Sequence, residues 1–334
     1  MRAVILLTAI CSLSQAQEPN VAFLTLAEEN GFNQFDISVG AQGVSDSDDT
    51  TLSGTAEIVL NIDPETGTTD SLLIRDARIN ATDLNFTLST FFGLVVIAEL
   101  DARNLKGTAG TPLGVGPVNP GNGEFDASLH TFTLNEGTLT GEALNNPVNN
   151  DVSENPITGS GTGTGTVTLS NPVERENRRI FYDVTITLPV GIDDTIPVEE
   201  GGIEASVEVA GTLKASGTVF VIRPPTYDEW AVEQGLSEKS QDGFELNARI
   251  PNAVLYALGH DDPAPSTRLF IPTAQGLRLN ASESGMRSEV TIEYSTDFQN
   301  WQPLPTSRLL SASGEIPVLS IGDGLGFYRV SAGE

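Results

Sequence analysis

The stretch IEASVEVAGTLKASGTVFVI, residues 203–222, places an aliphatic residue at nearly every second position. Small or polar residues stand between most of them. A period of two is typical of an antiparallel β-strand with one face buried and the other in water. The β-branched valines and isoleucines favour the same conformation. The stretch therefore predicts a strand, and it sets the pattern for the whole N-terminal region.

The same alternation recurs along residues 20–222, interrupted by glycine, asparagine and Pro-Glu-Thr-Gly turns. It is found in TAEIVLNI (55–62), ARINATDLNFTL (77–88), HTFTLNEGTLTG (130–141), GTGTVTLS (163–170) and IFYDVTITL (180–188). Repeated short alternating stretches with turn residues between them indicate antiparallel strands. Residues 20–222 are therefore predicted to form an all-β domain, an antiparallel sandwich or a barrel-like fold.

Two stretches of this region depart from the alternation. FFGLVVIAEL, residues 91–100, is almost continuously apolar, which predicts a central strand buried on both faces. EALNNPVNNDVSENPITGSG, residues 142–161, is rich in asparagine, proline and glycine, which predicts a long loop.

An internal duplication is a further hypothesis. SGTAEIVLN (53–61) resembles GTGTVTLSN (163–171), and AELDARNLKGTAGT (98–111) resembles ASVEVAGTLKASGT (205–218). Both pairs are separated by about 108 residues, as are Leu105-Lys106 and Leu213-Lys214. A repeat at a fixed offset predicts two similar units, residues 50–144 and 159–222, arranged as facing sheets or as tandem sandwiches.

The N-terminus, MRAVILLTAICSLSQAQ, has the pattern of a secretory signal. Arg2 precedes an apolar run that is too short to span a bilayer, and small residues lead to a cleavage site after Ala16. Residues 1–16 are therefore predicted to be a signal peptide, and the mature chain to be extracytoplasmic without a transmembrane segment. A lipoprotein anchor at Cys11 is the alternative, although Ile10 before it is larger than such signals use.

Composition excludes several classes of function. Cys11 is the only cysteine, so cleavage after Ala16 leaves a chain with no disulfide and no thiol ligand. Seventeen Lys and Arg face 45 Asp and Glu, which gives a formal charge of −28. Such a surface repels phosphate backbones, so nucleic acid is excluded as a partner.

After residue 222 the pattern changes. Residues 223–225 form a proline linker, and Thr226 with Glu229 has the spacing of a helix capping box. A second short helix is predicted over NAVLYAL (252–258), because a proline precedes it and Gly259 follows it. Residues 226–263 are therefore predicted to be a helical joint. Alternating strands then predict a small β-sandwich-like module over residues 264–334.

Residues 226–334 resemble the C-terminal region of many secreted proteins of environmental Gram-negative bacteria. That region joins a tryptophan-bearing helix, a dockerin-like loop, an Asn-x-x-x-Tyr-Ala-Leu-Gly helix and a small β module. The matching residues are Trp230, Gly235, Leu236, Asn252, Tyr256, Ala257, Leu258, Gly259, Asp262, Pro263, Tyr294, Ser295, Asp297, Trp301, Phe327, Tyr328 and Arg329. The resemblance implies an appendage shared by different secreted proteins.

The loop in this chain departs from the calcium-binding pattern that the resemblance implies. Calcium takes six to eight oxygens, several of them from closely spaced carboxylates. Here SEKSQDGFELN scatters Glu238, Asp242, Glu245 and Asn247 around a lysine. We therefore predict a degenerate loop and no metal or other cofactor.

Other acidic and glycine-rich stretches are also interpreted as structural. The groups Asp46-Asp48-Asp49 and Asp193-Asp194 are predicted to be solvated turns. GSGTGTGTVTLS (159–170) lacks the phosphate-loop spacings and leads into a strand, so it is predicted to be a flexible strand entry.

No catalytic motif is present in the sequence. His130 is predicted to be a packing or surface residue, and His260 to interact with the carbonyls at a helix end. The chain has no HExxH and no GxSxG motif, and its 45 acids do not single out a carboxylate pair. No catalytic, cofactor or metal residues are therefore assigned.

These observations predict a secreted or cell-surface, non-enzymatic β protein with a structural or adhesive role, whose partners are cell-surface components. The alternative is a carbohydrate-binding module or an accessory protein of glycan degradation, with glycans as partners. Trp230 and Trp301 are both predicted to be core residues of the tail, and Tyr182 is explained by strand alternation, so no ring is singled out as a sugar platform. An enzyme with an unrecognised carboxylate pair is a third reading.

Overall fold

The computed structural model describes 18–41, 43–90, 95–143, 146–197, 204–236, 241–247, 249–260, 263, 267–272, 276–282, 286–287, 290–295, 299–303, 315–317 and 327–332. The chain divides into two compact units, Met1–Arg223 (unit 1) and Pro224–Glu334 (unit 2). The predicted signal peptide, residues 1–16, lies outside the described residues. The fold is mainly β, which confirms the predicted fold class.

The described residues of unit 1 form fourteen strands and two single 3-10 turns. In chain order the strands are β1 (Val21–Leu26), β2 (Gln34–Ala41), β3 (Val44–Asp63), β4 (Thr68–Ala81), β5 (Leu84–Thr90), β6 (Val95–Gly110), β7 (Gly116–Pro117), β8 (Glu124–Asp126), β9 (Thr131–Ala143), β10 (Asn146–Asp151), β11 (Ile157–Gly161), β12 (Thr164–Arg175), β13 (Arg179–Pro197) and β14 (Glu204–Ile222). The alternating stretch that predicted a strand over 203–222 is β14.

All fourteen strands belong to one antiparallel sheet that closes on itself. β14 pairs with β13 along the full length of both strands. On its other edge β14 pairs with β2 and with β1. From β2 the pairing continues through β3, β4, β6, β9 and β11 back to β13. The sheet is therefore barrel-like, and its antiparallel closure leaves β14 with partners on both edges.

Two short strands share one position in this ring. β1 pairs with the second half of β3 and with residues 215–218, whereas β2 pairs with the first half of β3 and with residues 206–211. β1 and β2 therefore lie end to end between β3 and β14. The chain changes from one to the other at Asn33, which is almost fully buried and has a positive φ of 56°.

The core of unit 1 fills the inside of the ring. Alternate residues of each strand point inward and form one continuous apolar cluster, while the residues between them face solvent. β6 keeps this alternation, since Val95 and Val96 are about half exposed and Ala98 and Leu100 are buried. The prediction that 91–100 is buried on both faces is therefore wrong for the part of that stretch that is described.

Two further expectations are corrected by the topology. Residues 142–161 are not a long loop, because β10 and β11 occupy most of them and pair with β9. The stretches proposed as repeats belong to a single sheet, so tandem sandwiches are excluded. Leu105 and Leu213 both point into the core, and the duplication itself stays a prediction.

Unit 2 begins with two short helices, α1 (Tyr227–Glu233) and α2 (Asn252–Ala257). The predicted capping box is present: Glu229 N–H donates to Thr226 Oγ1, and Thr226 N–H donates to the Glu229 carboxylate. Gly259 ends α2 with a φ of 78°. Within the described residues, neither helix has the length and apolar composition needed to cross a membrane.

Six short strands follow the helices among the residues of unit 2 that the structure describes. They are β15 (Phe270–Pro272), β16 (Gly276–Leu279), β17 (Val290–Ser295), β18 (Gln302–Pro303), β19 (Glu315–Pro317) and β20 (Phe327–Ala332). They form two antiparallel three-stranded sheets in the orders β15-β16-β19 and β18-β17-β20.

Candidate functional site

Apolar cavities lie in the interior of the described part of unit 1, and three of them share lining residues. The end cavity, about 60 Å³, is lined by Ile37, Val39, Leu84, Phe86, Ala102, Leu105, Leu134, Leu139, Asn150, Asp151, Val152, Asn155, Ile157, Val207 and Val209. The middle cavity, about 30 Å³, is lined by Phe35, Ile37, Thr50, Leu52, Ile79, Ala81, Leu105, Gly107, Phe132, Leu134, Val190, Ile192 and Val209. The far cavity, about 40 Å³, is lined by Leu24, Leu26, Ala56, Ile58, Ile74, Ala77, Ile79, Ala109, Phe132, Ile186, Leu188, Leu213 and Ala215.

The three cavities follow one another and share walls. The end and middle cavities share Ile37, Leu105, Leu134 and Val209. The middle and far cavities share two further side chains, those of Ile79 and Phe132. They therefore form one interrupted channel through the ring, which we call the lumen.

Small inward-facing residues explain why the lumen is not filled. Ala102 of β6 is buried between Leu84 on β5 and Leu139 on β9. Its side chain is only a methyl group, so the space that a longer side chain would fill stays empty as part of the end cavity. Gly107 is constrained by its neighbours, because a Cβ there would lie 2.9 Å from the Thr133 carbonyl oxygen. Protein interiors are normally close-packed, so a row of such gaps is the distinguishing feature of this unit.

The polar residues of the lumen are concentrated at the end cavity. Asn150 and Asp151 end β10, and Asn155 lies in the turn that leads to β11; Asp151 and Asn155 are exposed. Hydrogen bonds from the side chain and backbone of Ser153 lower the pKa of Asp151 and favour its carboxylate form. Val152, between them, is buried and lines the cavity. We call Asn150, Asp151 and Asn155 the polar rim.

The aspartates near the start of β3 have a structural use that the sequence analysis missed. Asp46 Oδ2 accepts the Thr87 N–H at 2.6 Å, and Asp48 Oδ2 accepts the Asn85 N–H at 2.8 Å. These carboxylates thus satisfy amides on the edge of β5 that pairs with no strand among the described residues. The prediction of a solvated turn is wrong, since Asp46, Asp48 and Asp49 all lie within β3.

The second acidic pair is likewise in a strand rather than a turn. Asp193 and Asp194 lie near the end of β13, opposite Glu208 and Val207 of β14. Across the described ranges, no three histidine, cysteine, aspartate or glutamate side chains lie close enough together to hold a metal ion.

The glycine-rich stretch 159–170 was predicted to be a flexible strand entry, but it covers the end of one strand and the start of the next. Gly159 and Gly161 belong to β11, and Gly165 belongs to β12. A Cβ on Gly161 would lie 2.2 Å from the Ala127 carbonyl oxygen, so this glycine allows two backbone segments to approach closely.

His130 is a fully buried packing residue, one of the two roles predicted for it. Its Nδ1 lies 2.8 Å from Thr111 Oγ1, which accepts the Ile74 N–H at 2.9 Å. Burial lowers the pKa of His130, and the Asp126 charge offsets this only in part. Burial therefore favours the neutral ring, and its Nε2 has no hydrogen-bond partner among the described residues.

In unit 2, Trp230 is a core residue as predicted. It is fully buried, its Nε1–H donates to the His260 carbonyl, and its ring packs against Tyr227 and Tyr256. Trp301 differs from the prediction, because it is only partly buried and the Arg329 guanidinium lies 4.6 Å from its ring centre. The His260 backbone N–H donates to the Leu255 carbonyl of α2 at 3.1 Å, whereas its ring bonds through Nε2 with the Asn280 carbonyl at 2.7 Å.

Two of the described oxygen-bearing side chains of the calcium-like loop, Glu245 and Asn247, are engaged within the protein. Glu245 Oε2 accepts from Asn252 Nδ2 at 2.6 Å, and Asn247 Oδ1 accepts the Arg249 N–H at 2.9 Å. Asn247 is almost fully buried, whereas Asp242 is exposed. Glu238 lies outside the described residues.

The lumen and its polar rim were the features that sequence reasoning missed. The signal that could have indicated them is the run of alanine and glycine at inward positions of alternating strands.

Compared with known proteins, the chain matches no protein-family model, and no curated sequence matches it.

Proposed function

We propose that this chain is a secreted or cell-surface β protein with a structural, non-enzymatic role. The observation that carries the proposal is the closed sheet of unit 1, in which an apolar core faces inward and charged side chains face solvent. With Cys11 removed, no disulfide could support the fold outside the cell, so this core must supply the stability. A closed ring suits that setting because it leaves few unpaired strand edges for aggregation.

Unit 2 is proposed to be the appendage that sorts or anchors the protein. Its support is the resemblance of residues 226–334 to C-terminal regions of secreted proteins. Two helix residues that carry the resemblance, Trp230 and Tyr256, have structural roles: Trp230 is fully buried, and the Tyr256 hydroxyl donates to the Pro225 carbonyl at 2.7 Å.

Cell fractionation tests location and appendage together. The full chain and a chain ending at Arg223 would be expressed in a Gram-negative host and followed by immunoblot and N-terminal sequencing. We expect a mature N-terminus at Gln17, the full chain at the surface or in the medium, and the truncated chain retained in the periplasm. An uncleaved, cytoplasmic full chain would overturn the proposal.

A hydrolase panel on the mature chain tests the non-enzymatic part. Turnover that disappears when one Asp or Glu is changed to Asn or Gln would contradict the non-enzymatic role.

The carbohydrate-binding alternative receives less support from the outer face of unit 1. Phe181 is covered by the Arg175 guanidinium at 4.5 Å, and Phe220 by Arg179 at 5.1 Å. Phe23 is about half exposed. A sugar platform needs open rings, so we expect a glycan array probed with the mature chain to give no binding that depends on Phe23.

A further inference from the structure

We propose that Arg175 and Arg179, on the outer face of unit 1, form a binding site for the phosphate group of a small organic phosphate monoester. We call these two residues the arginine pair. The proposal goes beyond a structural role, and it does not depend on where the protein is located.

The arginine pair lies at the end of a β-hairpin. Arg175 is the last residue of β12 and Arg179 the first of β13, and a three-residue turn joins them. The two residues stand directly opposite each other in the ladder. Residues at such positions share one face of the sheet and have Cβ atoms about 5 Å apart. Both arginines are exposed, so a ligand in solution can reach the two guanidinium groups at once.

The arginine pair has no carboxylate partner, unlike most cations of this unit. Among the described residues of unit 1, six cationic side chains lie within 3.6 Å of a carboxylate oxygen, namely Arg75, Arg78, Arg103, Lys106, Lys214 and Arg223. The arginine pair forms no ion pair with a described carboxylate, and this includes the exposed Glu176 in the turn between them. Like charges placed directly opposite each other destabilise a sheet, so a bound anion would relieve their repulsion.

Aromatic rings hold the two guanidinium groups in place. The Arg175 guanidinium lies 4.5 Å from the ring centre of Phe181, and that of Arg179 lies 5.1 Å from the ring centre of Phe220. The two rings pack against each other with their centres 5.4 Å apart. A guanidinium stacked on a ring keeps the N–H donors at its edge available to an anion. Because the groups are held before the anion arrives, less side-chain freedom is lost on binding.

Charge and geometry favour a phosphate monoester over a carboxylate. A phosphate monoester carries a charge of about −1.5 to −2 at pH 7 and has three strong acceptor oxygens. Two adjacent guanidinium groups match that charge, and the three oxygens can accept hydrogen bonds from both of them. A carboxylate has one charge and two oxygens, which a single guanidinium satisfies.

The acidic surface around the arginine pair limits the size of the ligand. The chain has 45 Asp and Glu against 17 Lys and Arg. Charges more than about 8 Å apart are largely screened at physiological ionic strength, so a single phosphate group responds mainly to the arginine pair. A long polyanion or an anionic membrane would extend past the pair and meet carboxylates. The ligand is therefore a small molecule.

Two aliphatic side chains beside the arginine pair would contact the organic part of the ligand. Val173 lies two residues before Arg175 on the same face, and Ile222 stands opposite Arg179. Each is about half exposed. An organic group that covers them removes apolar surface from water, and inorganic phosphate gains no such contribution.

Calorimetry with the full mature chain and phenyl phosphate tests the proposal at pH 7.5, where the phosphate is mostly a dianion. We expect one saturable site per chain. Phenyl sulfate, with a similar shape and a single charge, and benzoate should each bind at least about tenfold more weakly. Inorganic phosphate should also bind more weakly than phenyl phosphate. Phosphatidylcholine vesicles with and without phosphatidic acid test a lipid source of the phosphate, and we expect the chain to sediment with neither.

Variants place the ligand at the arginine pair. Arg175→Gln and Arg179→Gln should each weaken binding at least about tenfold. Arg175→Lys keeps the charge but loses the planar fork, so it should also bind more weakly than wild type. Arg78→Gln is the matched control, because it removes the same charge from an exposed arginine that is paired with Asp76. It should leave binding unchanged.

Thermal melts provide a second measurement. Phenyl phosphate should raise the melting temperature of wild type and of Arg78→Gln, but not that of the double variant Arg175→Gln, Arg179→Gln, because only a protein that binds the ligand is stabilised by it. Melts without ligand establish that each variant is folded, and Arg175→Lys decides the question if the glutamine variants are not.

The site would be overturned by a wild-type chain that does not bind phenyl phosphate saturably, by folded variants of the arginine pair that bind as well as wild type, or by an equal loss in Arg78→Gln. Benzoate or phenyl sulfate that binds as tightly as phenyl phosphate would contradict the phosphate assignment. Sedimentation with vesicles that contain phosphatidic acid would show that the ligand is a lipid and not a small soluble ester.

Discussion

At the residue scale, Asn33 shows how one polar side chain fixes the closure of the ring. Its Nδ2 donates to the carbonyls of Ala27 and Lys214 at 2.7 and 2.8 Å, and its Oδ1 accepts the Lys214 N–H at 2.8 Å. These bonds link the β1–β2 junction to β14, a strand 181 residues later in the chain. Almost no water reaches Asn33, so the backbone groups that it bonds depend on it.

We predict that Asn33→Ala lowers the free energy of unfolding by about 3 kcal/mol or more, because several buried backbone groups lose their partners at about 1–3 kcal/mol each. Urea unfolding followed by circular dichroism measures the change. The matched control is Asn61→Ala, which removes an exposed bond to Asp70 and should cost less than about 0.5 kcal/mol. Equal losses in the two variants would contradict the role assigned to Asn33.

His130 makes a second prediction at this scale. Its pKa is lowered in the folded chain, so the folded state favours the neutral ring. The unfolded chain takes up the proton near pH 6.5, and the contribution of His130 to stability is therefore complete above that pH. It declines as the pH falls from about 6.5 toward the lower folded pKa, by at most about 1.4 kcal/mol per pH unit for one proton.

Urea midpoints of wild type and His130→Gln between pH 7.5 and 5 test this sign. Both proteins carry the same carboxylates, so the difference between their profiles isolates His130. We expect wild type to lose more stability than the variant as the pH falls below 6.5. Parallel profiles would show that burial of the ring does not shift its titration.

At the scale of elements, β5 illustrates what the sequence can and cannot predict. Alternation over 77–88 predicts strand correctly, but it merges the end of β4 with β5, which a short turn at 82–83 separates. Composition also fails for Asp46 and Asp48, since aspartate is depleted in strands and favours turns. Their carboxylates accept hydrogen bonds from β5, which lies about forty residues later in the chain. Contacts between segments so far apart leave no local pattern in the sequence.

The same reasoning applies to residues 142–161. Asparagine, proline and glycine predict a loop, yet the backbone there pairs with β9 on two successive strands. Tertiary pairing overrides a weak local propensity in this segment, and it brings Asn150, Asp151 and Asn155 to the lumen. The capping box at Thr226 was predictable because both of its partners lie within three residues.

The bonds from Asp46 and Asp48 give a prediction at this scale. In a double Asp46→Ala, Asp48→Ala variant the amides of Thr87 and Asn85 lose charged acceptors, each worth about 1.5–3 kcal/mol. We expect hydrogen exchange at these two amides to accelerate at least tenfold, with little change in β13 and β14. Asp49→Ala is the control, since Asp49 is exposed; equal acceleration there would contradict the assignment.

At the scale of the whole molecule, closure depends on the last strand of unit 1. β14 supplies neighbours to β1, β2 and β13, and it contributes Val207, Val209 and Leu213 to the core. The ring therefore cannot close until a chain of more than two hundred residues is complete. Such non-local pairing predicts slow folding, because distant segments must meet before their contacts stabilise them.

This dependence predicts opposite outcomes for two truncations. The core cluster of unit 1 ends at Val221, so a chain of residues 18–223 contains it whole, whereas a chain of residues 18–203 lacks β14 and exposes the inner faces of three strands. We expect 18–223 to melt cooperatively, within a few degrees of the same transition in the full chain, and to retain its β-type circular dichroism. We expect 18–203 to show no cooperative transition and to aggregate, because β1, β2 and β13 would each lose their pairing with β14 and present a free edge. A cooperative melt of 18–203 would mean that the ring is stable when open, and an unfolded 18–223 would mean that unit 1 needs residues beyond its own core.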